Sequence, residues 1–160
     1  MKTLYLTRHA KSSWEEEVID HQRPLSKKGE KDIIKVSEYV ASNFKKPDLI
    51  ISSDANRALT TALQFKKAFN VQENRFIKNH DMYDFSGANV LQIIQNCSND
   101  VDILMLFGHN HAFTVIANKL GDKYIDNLPT CGFVKIDFDI KSWHSLTKGK
   151  TIATVFPKDL

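Results

Sequence analysis

The sequence predicts an α/β protein in which a largely parallel sheet is covered by helices on both faces. Two observations support this fold class. Short apolar runs alternate with segments of helical periodicity along residues 1–120, a pattern typical of parallel strands joined by right-handed helical crossovers. Two segments that alternate apolar and polar residues, 133–138 and 151–156, then close the chain. Their period of two indicates antiparallel or edge strands.

The helices are predicted from apolar residues that recur every three or four positions, as Ile33, Val36 and Val40 do. Ser26 and Ser86 are suitable N-caps for the first and third helix, and a proline should end the first one. The predicted elements are, in order, a strand at 4–6, a helix from 27 to before Pro47, a strand at 49–51, a helix at 55–69, a weak strand at 76–77, a helix after Ser86, a strong strand at 102–107, a helix at 112–120 and the two closing strands.

Length and composition predict one domain over residues 1–160. The chain is 42% hydrophobic and 26% charged, and one domain usually takes about 100–200 residues. Such a chain can bury a core without disulfides, so Cys97 and Cys131 are expected to be free thiols. The net charge of +3 comes from interleaved basic and acidic residues, which disfavours a nucleic-acid partner. Neither an export signal nor a membrane span is recognisable, and a cytoplasmic protein is expected.

Chemically active side chains follow three of the predicted strands. Arg8 and His9 come after the first strand, Ser53 after the second with Arg57 in the next helix, and His109 after the strand at 102–107. Because ligands bind at the carboxyl ends of parallel strands, we expect these residues to meet at one edge of the sheet.

Two arginines and two histidines at one site suit phosphoryl transfer. Guanidinium groups bind phosphate oxygens in two-point fashion and stabilise transition-state charge. A neutral imidazole can attack phosphorus and carry the phosphoryl group, and Arg8 favours the neutral form of the neighbouring His9. Each residue taken alone also has a structural interpretation: Arg57 as a solvent-exposed residue of a helix, and His109 as a residue of a turn.

Other candidate residues have more ordinary interpretations. Arg23 is either a loop anchor that pairs with Asp20 or a contact to phosphate or substrate. His21, His80 and His144 are expected to be loop or surface histidines. No metal site is expected, because the two cysteines are single residues in different elements.

Several motifs, in the same order, resemble the histidine phosphatase (phosphoglycerate mutase-like) superfamily, and specifically its SixA-like phosphohistidine phosphatase branch. The segments that carry the resemblance are 4–14 with Arg8-His9-Ala10, 23–29 with Arg23-Pro24-Leu25, 51–62 with Ser52-Ser53 and Arg57-Ala58, 107–110 with Gly108-His109-Asn110, 128–130 with Leu128-Pro129-Thr130, and the ending 143–160. Nearly the whole chain is covered.

The resemblance implies a three-layer α/β/α sandwich of the phosphoglycerate mutase-like type, with a mostly parallel central sheet that contains an antiparallel strand. It implies neither a cofactor nor a metal. His9 is implied as the phosphorylated nucleophile, and Arg8, Arg57 and His109 as the other members of the phosphate pocket.

The resemblance assigns the group that protonates the leaving group less directly than it assigns the phosphate pocket. Many members carry a glutamate between the second arginine and the second histidine, where this sequence has Asp84, and Asp84 is therefore the candidate acid. Lys11 and Arg23 are candidate substrate contacts. His111 stands where the branch often has proline and Cys131 where glycine is common, and neither has an assigned role.

The implied activity is a phosphatase that forms phospho-His9, with a phosphohistidine of a signalling protein as the favoured substrate. A histidine-containing phosphotransfer domain is the expected partner, and neither nucleic acid nor membrane is expected. Hydrolysis of phosphohistidine depends less on a proton donor than hydrolysis of an ester does, since imidazole is a better leaving group than an alkoxide. Two alternatives stay open: a phosphomonoesterase that acts on a small phosphate ester, and a phosphate-binding module without catalysis.

Overall fold

The computed structural model describes residues 1–160 and contains ten helices and strands of regular length, joined by loops and short 3₁₀ turns. The elements are β1 Lys2–Arg8, α1 Lys27–Asn43, β2 Leu49–Ser52, α2 Asn56–Phe69, β3 Phe76–Lys78, α3 Ala88–Gln95, β4 Ile103–Gly108, α4 Ala112–Leu120, β5 Phe133–Phe138 and β6 Lys150–Val155.

The strands form a single sheet in the order β3-β2-β4-β1-β5-β6. The first four strands of that order pair in parallel, whereas β5 runs antiparallel to both of its neighbours. The prediction of a mostly parallel sheet that contains an antiparallel strand is therefore confirmed, and β6 is an edge strand.

Two apolar layers flank the sheet because successive side chains of a strand point to opposite faces. Leu4 and Leu6 of β1 belong to a core cluster that includes residues of α3 and α4. Tyr5, between them, belongs to a second cluster with residues of α1 and α2. Helices therefore cover both faces, which confirms the three-layer α/β/α fold.

The helix ends show which capping predictions hold. The Ser26 hydroxyl accepts the backbone N–H of Gly29 at 3.1 Å, so the predicted N-cap of α1 is confirmed. The prediction of Ser86 as the N-cap of α3 is wrong, since Gly87 takes that position with a φ of 101°. A left-handed backbone is accessible to glycine without the penalty that a side chain imposes.

Both cysteines are free, as predicted: Cys97 is half-buried and Cys131 is buried. Cys131 has a φ of 58°, a left-handed conformation that glycine adopts more readily. None of the helices combines the length and the apolar composition that crossing a bilayer would require.

Candidate active site

The ends of β1, β2 and β4 bring the predicted active-site residues together at one edge of the sheet. The backbone N–H of His9 donates to the carbonyl of Gly108 at 3.1 Å, and that of Ser53 donates to Phe107 at 3.0 Å. The rings of His9 and His109 lie 5.3 Å apart between centroids. Parallel pairing of the three strands thus places two histidines side by side.

His9 is buried, and its ring is fixed by one hydrogen bond. Its Nδ1 lies 2.7 Å from the carbonyl oxygen of Ala10, and because a carbonyl can only accept, Nδ1 carries the hydrogen. Burial, together with the positive charges of Arg57 and Arg8, lowers the pKa of His9 to about 3, despite the opposing effect of the Ala10 carbonyl. The ring is therefore neutral near pH 7, and Nε2 keeps its lone pair.

His109 is fully buried beside His9. Its Nε2 is 2.8 Å from the Ser53 hydroxyl, and its Nδ1 has no hydrogen-bond partner. Burial and the proximity of His9 lower the pKa of His109 to about 3. The rings of Tyr83 and Phe85 pack against it at centroid distances of 5.2 and 5.0 Å, which keeps water away from the imidazole.

Two guanidinium groups accompany these histidines. Arg8 donates to the carbonyl of Leu128 at 2.9 Å, and its Nε has no partner. Burial and the charge of Arg57 lower the pKa of Arg8, but an arginine in a protein stays protonated. Arg57, in the first turn of α2, is buried and donates to both the carbonyl and the carboxylate of Asp20, at 2.7 and 2.9 Å.

Asp20 is the anionic centre of the cluster. Its carboxylate accepts from Arg57, from Arg23 at 3.2 Å and from the Tyr83 hydroxyl at 2.5 Å. Desolvation raises the pKa of Asp20, but the hydrogen bonds from Tyr83 and Arg57 outweigh it and lower the pKa to about 2. Sequence reasoning paired Asp20 with Arg23 alone and missed both its link to Arg57 and the contribution of Tyr83.

Of the two candidate substrate contacts, the structure brings only Arg23 to the cluster. Its Nε donates to the carbonyl of Ser13 at 3.2 Å, and its guanidinium lies over the Trp14 ring, 3.1 Å from the centroid. Lys11 is exposed, and its ammonium group makes no hydrogen bond or ion pair with the protein. Arg23 therefore adds a third cation to the cluster.

Asp84, the candidate acid, caps a helix. Its carboxylate accepts the backbone N–H groups of Gly87, Asn89 and Val90 at 3.1–3.2 Å, together with the N–H and hydroxyl of Ser86. Desolvation opposes these hydrogen bonds, but their sum lowers the pKa of Asp84. The structure thus engages the ionised carboxylate at the start of α3, which disfavours a role as proton donor.

The charges of the cluster favour a phosphoryl group. Three guanidinium groups, of Arg57, Arg8 and Arg23, act on His9 through their charge. One carboxylate, Asp20, pairs with two of them, so the local balance is three positive charges against one negative. The two histidines add no charge because both are neutral. An excess of two positive charges matches a dianionic phosphate, and the unprotonated Nε2 of His9 belongs to the same cluster.

Comparisons with known proteins show the family to which this chain belongs. The family model of the histidine phosphatase superfamily (branch 1) matches residues 4–114. An uncharacterized chloroplastic protein of Arabidopsis thaliana is 34% identical over an alignment length of 155; the match covers 89% of this chain and 69% of that protein.

Among solved structures, the proposed phosphohistidine phosphatase SixA of Agrobacterium tumefaciens is 25% identical with a TM-score of 0.83, and the match covers 98% of each chain. The protein histidine phosphatase SixA complexed with tungstate has the same TM-score and coverage at 14% identity. A mycobacterial glucosyl-3-phosphoglycerate phosphatase matches at 12% identity with a TM-score of 0.69, over 96% of this chain and 98% of that one. The last two share the fold.

Proposed function

We propose that this chain, which belongs to the histidine phosphatase superfamily, removes phosphoryl groups through a covalent intermediate on His9. The observation that carries the proposal is the state of that side chain. Its Nδ1–H is held by the Ala10 carbonyl at 2.7 Å, and its low pKa leaves Nε2 unprotonated among guanidinium groups. A neutral, oriented and buried imidazole is the form that attacks phosphorus.

In the first step, the Nε2 lone pair of His9 forms a bond to phosphorus while the bond to the leaving group breaks. The leaving group keeps that electron pair and takes up a proton from water. Arg8 and Arg57 hold the equatorial oxygens, where charge develops in the transition state. In the second step, an oxygen of water forms a bond to phosphorus while the bond between phosphorus and Nε2 breaks. The electron pair of that bond returns to Nε2, the attacking water gives up a proton to solvent, and inorganic phosphate and the neutral imidazole result.

His109 serves as a further hydrogen-bond donor to the phosphoryl oxygens. The Ser53 hydroxyl accepts the N–H of Ala55 at 3.2 Å, and its own hydrogen is then free to point at Nε2 of His109. A neutral His109 in that arrangement carries its hydrogen on Nδ1, the atom that lacks a partner in the protein. A phosphoryl oxygen would supply the missing acceptor.

The favoured substrate is a phosphohistidine on a signalling protein, such as a histidine-containing phosphotransfer domain in the cytoplasm. With Asp84 engaged as a helix cap, the site offers no evident carboxylic acid to protonate an alkoxide. An imidazole leaves more readily, so phosphohistidine fits a site without a strong acid. The family membership and the structural likeness to SixA proteins support this choice.

Turnover on two substrate classes tests the proposal. Release of inorganic phosphate would be measured from a phosphorylated phosphotransfer domain and from a panel of sugar and nucleotide phosphates. We expect kcat/KM to be at least tenfold higher for phosphohistidine, and activity on both classes to vanish in His9→Ala. His144→Ala, a change at an exposed histidine outside the site, is the matched control.

The results separate the alternatives. A preference for esters would overturn the substrate but keep the catalytic role of His9. If the protein binds phosphate but turns over neither class of substrate, the proposed activity itself is wrong.

A further inference from the structure

Beside the phosphate pocket lies a second group of side chains that the proposed chemistry does not use. His21 Nε2 is 2.9 Å from an oxygen of the Asp54 carboxylate, and His80 Nδ1 lies 2.9 Å from the other oxygen. The three side chains come from separate segments: a 3₁₀ turn at Asp20–Gln22, the corner between β2 and α2, and a 3₁₀ turn at His80–Met82. Two histidines that were expected to be ordinary loop or surface residues therefore converge on one carboxylate.

The geometry of this group fits a metal ion. The three candidate ligand atoms lie within 4.8 Å of one another, whereas ligands bound at about 2.0–2.2 Å around zinc lie roughly 3.3–3.5 Å apart in a tetrahedron. Only small side-chain movements would bring the three ligand atoms from their ion-free positions to the spacing found around zinc. Two imidazoles and one carboxylate form a ligand set that binds zinc and related transition metals.

Both histidines can take the tautomer that metal binding requires. In the ion-free arrangement, His21 Nε2 and His80 Nδ1 donate to Asp54, whereas a metal needs the lone pair of each nitrogen. The opposite nitrogens, His21 Nδ1 and His80 Nε2, have no hydrogen-bond partner in the protein, so each can carry the hydrogen instead. His80 is exposed, so an ion and its water ligands can reach the site from solvent.

We propose that His21, Asp54 and His80 form a binding site for one divalent transition-metal ion of the zinc type at the rim of the phosphate pocket. Three protein ligands leave at least one coordination position for water or for an oxygen of a bound molecule. The ion has no part in the attack by His9.

A metal ion at this position would stabilise the loops that carry the phosphate-binding residues. His21 follows Asp20, the partner of Arg57, and Asp54 follows Ser53, the partner of His109. The Tyr83 ring contacts both metal-site histidines, at centroid distances of 5.1 Å from His21 and 5.8 Å from His80. A bound ion would tie together three loops whose neighbouring residues hold the phosphate-binding groups.

Isothermal titration calorimetry with ZnCl₂ tests the proposal, with tag-free, chelator-treated protein in a buffer without phosphate. We expect one ion per chain, and at least tenfold weaker binding in His21→Ala, His80→Ala and Asp54→Asn, because loss of supporting residues alone costs about 10–100-fold in metal affinity. His144→Ala should bind as tightly as the wild type. Circular dichroism would check that each variant is folded.

Thermal unfolding gives a second measurement that does not use activity. Free Zn²⁺ at about 100 times Kd should raise Tm by roughly 5–10 °C in the wild type, and by clearly less in His80→Ala. Binding that is equally tight in wild type and His80→Ala, or absent at 100 µM Zn²⁺, would overturn the metal site. Neither result depends on whether the protein turns over phosphohistidine.

Discussion

Mild acid should destabilise the protein through His9 and His109, the two buried histidines of the candidate site. In the folded state the pKa of His9 and that of His109 are each lowered from 6.5 to about 3, whereas unfolded histidines titrate near 6.5. Below pH 6.5 the unfolded state therefore binds more protons than the folded state. Stability that is present at neutral pH is lost as the pH falls from about 6.5 towards 3.

The size of this effect follows from the shift in pKa. At pH 4.5 an unfolded histidine is almost fully protonated, while a folded one with a pKa of about 3 is almost fully neutral. At about 1.36 kcal/mol per pH unit, each histidine then costs about 2.5 kcal/mol of unfolding free energy relative to pH 7. Two such histidines cost about 5 kcal/mol, a large share of the roughly 5–15 kcal/mol that stabilises a typical protein.

Urea unfolding at pH 7 and pH 4.5, followed by circular dichroism, measures the effect. Wild type and His144→Gln should lose the same unfolding free energy between the two pH values, and His9→Gln should lose at least 2 kcal/mol less. Asp20, with a pKa of about 2, stays ionised over this range and does not interfere. Equal losses in wild type and His9→Gln would refute the buried, neutral state of His9.

Four further substitutions, at three residues, probe the other members of the candidate site. Arg57→Ala should lower kcat/KM by about 10²–10³, as loss of an oxyanion donor does, and a steady-state assay that finds less than a tenfold loss would remove Arg57 from the pocket. Asp84→Ala should lower the unfolding free energy by about 1–3 kcal/mol, because backbone N–H groups lose their acceptor. Asp84→Asn should keep kcat within about threefold, and a loss above tenfold would restore Asp84 as the acid. Asp20→Asn should lower the inhibition constant of inorganic phosphate by about three- to tenfold, because the carboxylate no longer competes for Arg57 and Arg23, and a higher constant would contradict that competition.

The sequence predicted most of the fold because the signals were local. Continuous apolar runs marked β1 and β4, helical spacing marked α1 and α2, and the period of two marked β5 and β6. The start of α3 was missed because its cap comes from a carboxylate at Asp84, further back in the chain than the usual N-cap position. That contact depends on the turn at Gly87, which no periodicity reveals.

The site was harder to predict where residues distant in sequence meet. The convergence of His9 and His109 follows from strand topology, which alternation indicates. The link between Asp20 and Arg57 joins a 3₁₀ turn to the start of helix α2, 37 positions further along the chain, and no pattern in either segment points to the other. The grouping of His21 and His80 around Asp54 was missed for the same reason.

Direct detection of phosphorylated His9 tests the central claim. Protein mixed with a phosphorylated phosphotransfer domain would be quenched without acid within milliseconds to seconds, digested and examined by mass spectrometry. We expect a phosphoryl group on the peptide that contains His9, formed at least as fast as phosphate is released and absent in His9→Ala. Turnover of the substrate with no phosphorylation of His9 at any time, or undiminished turnover in His9→Ala, would contradict the account.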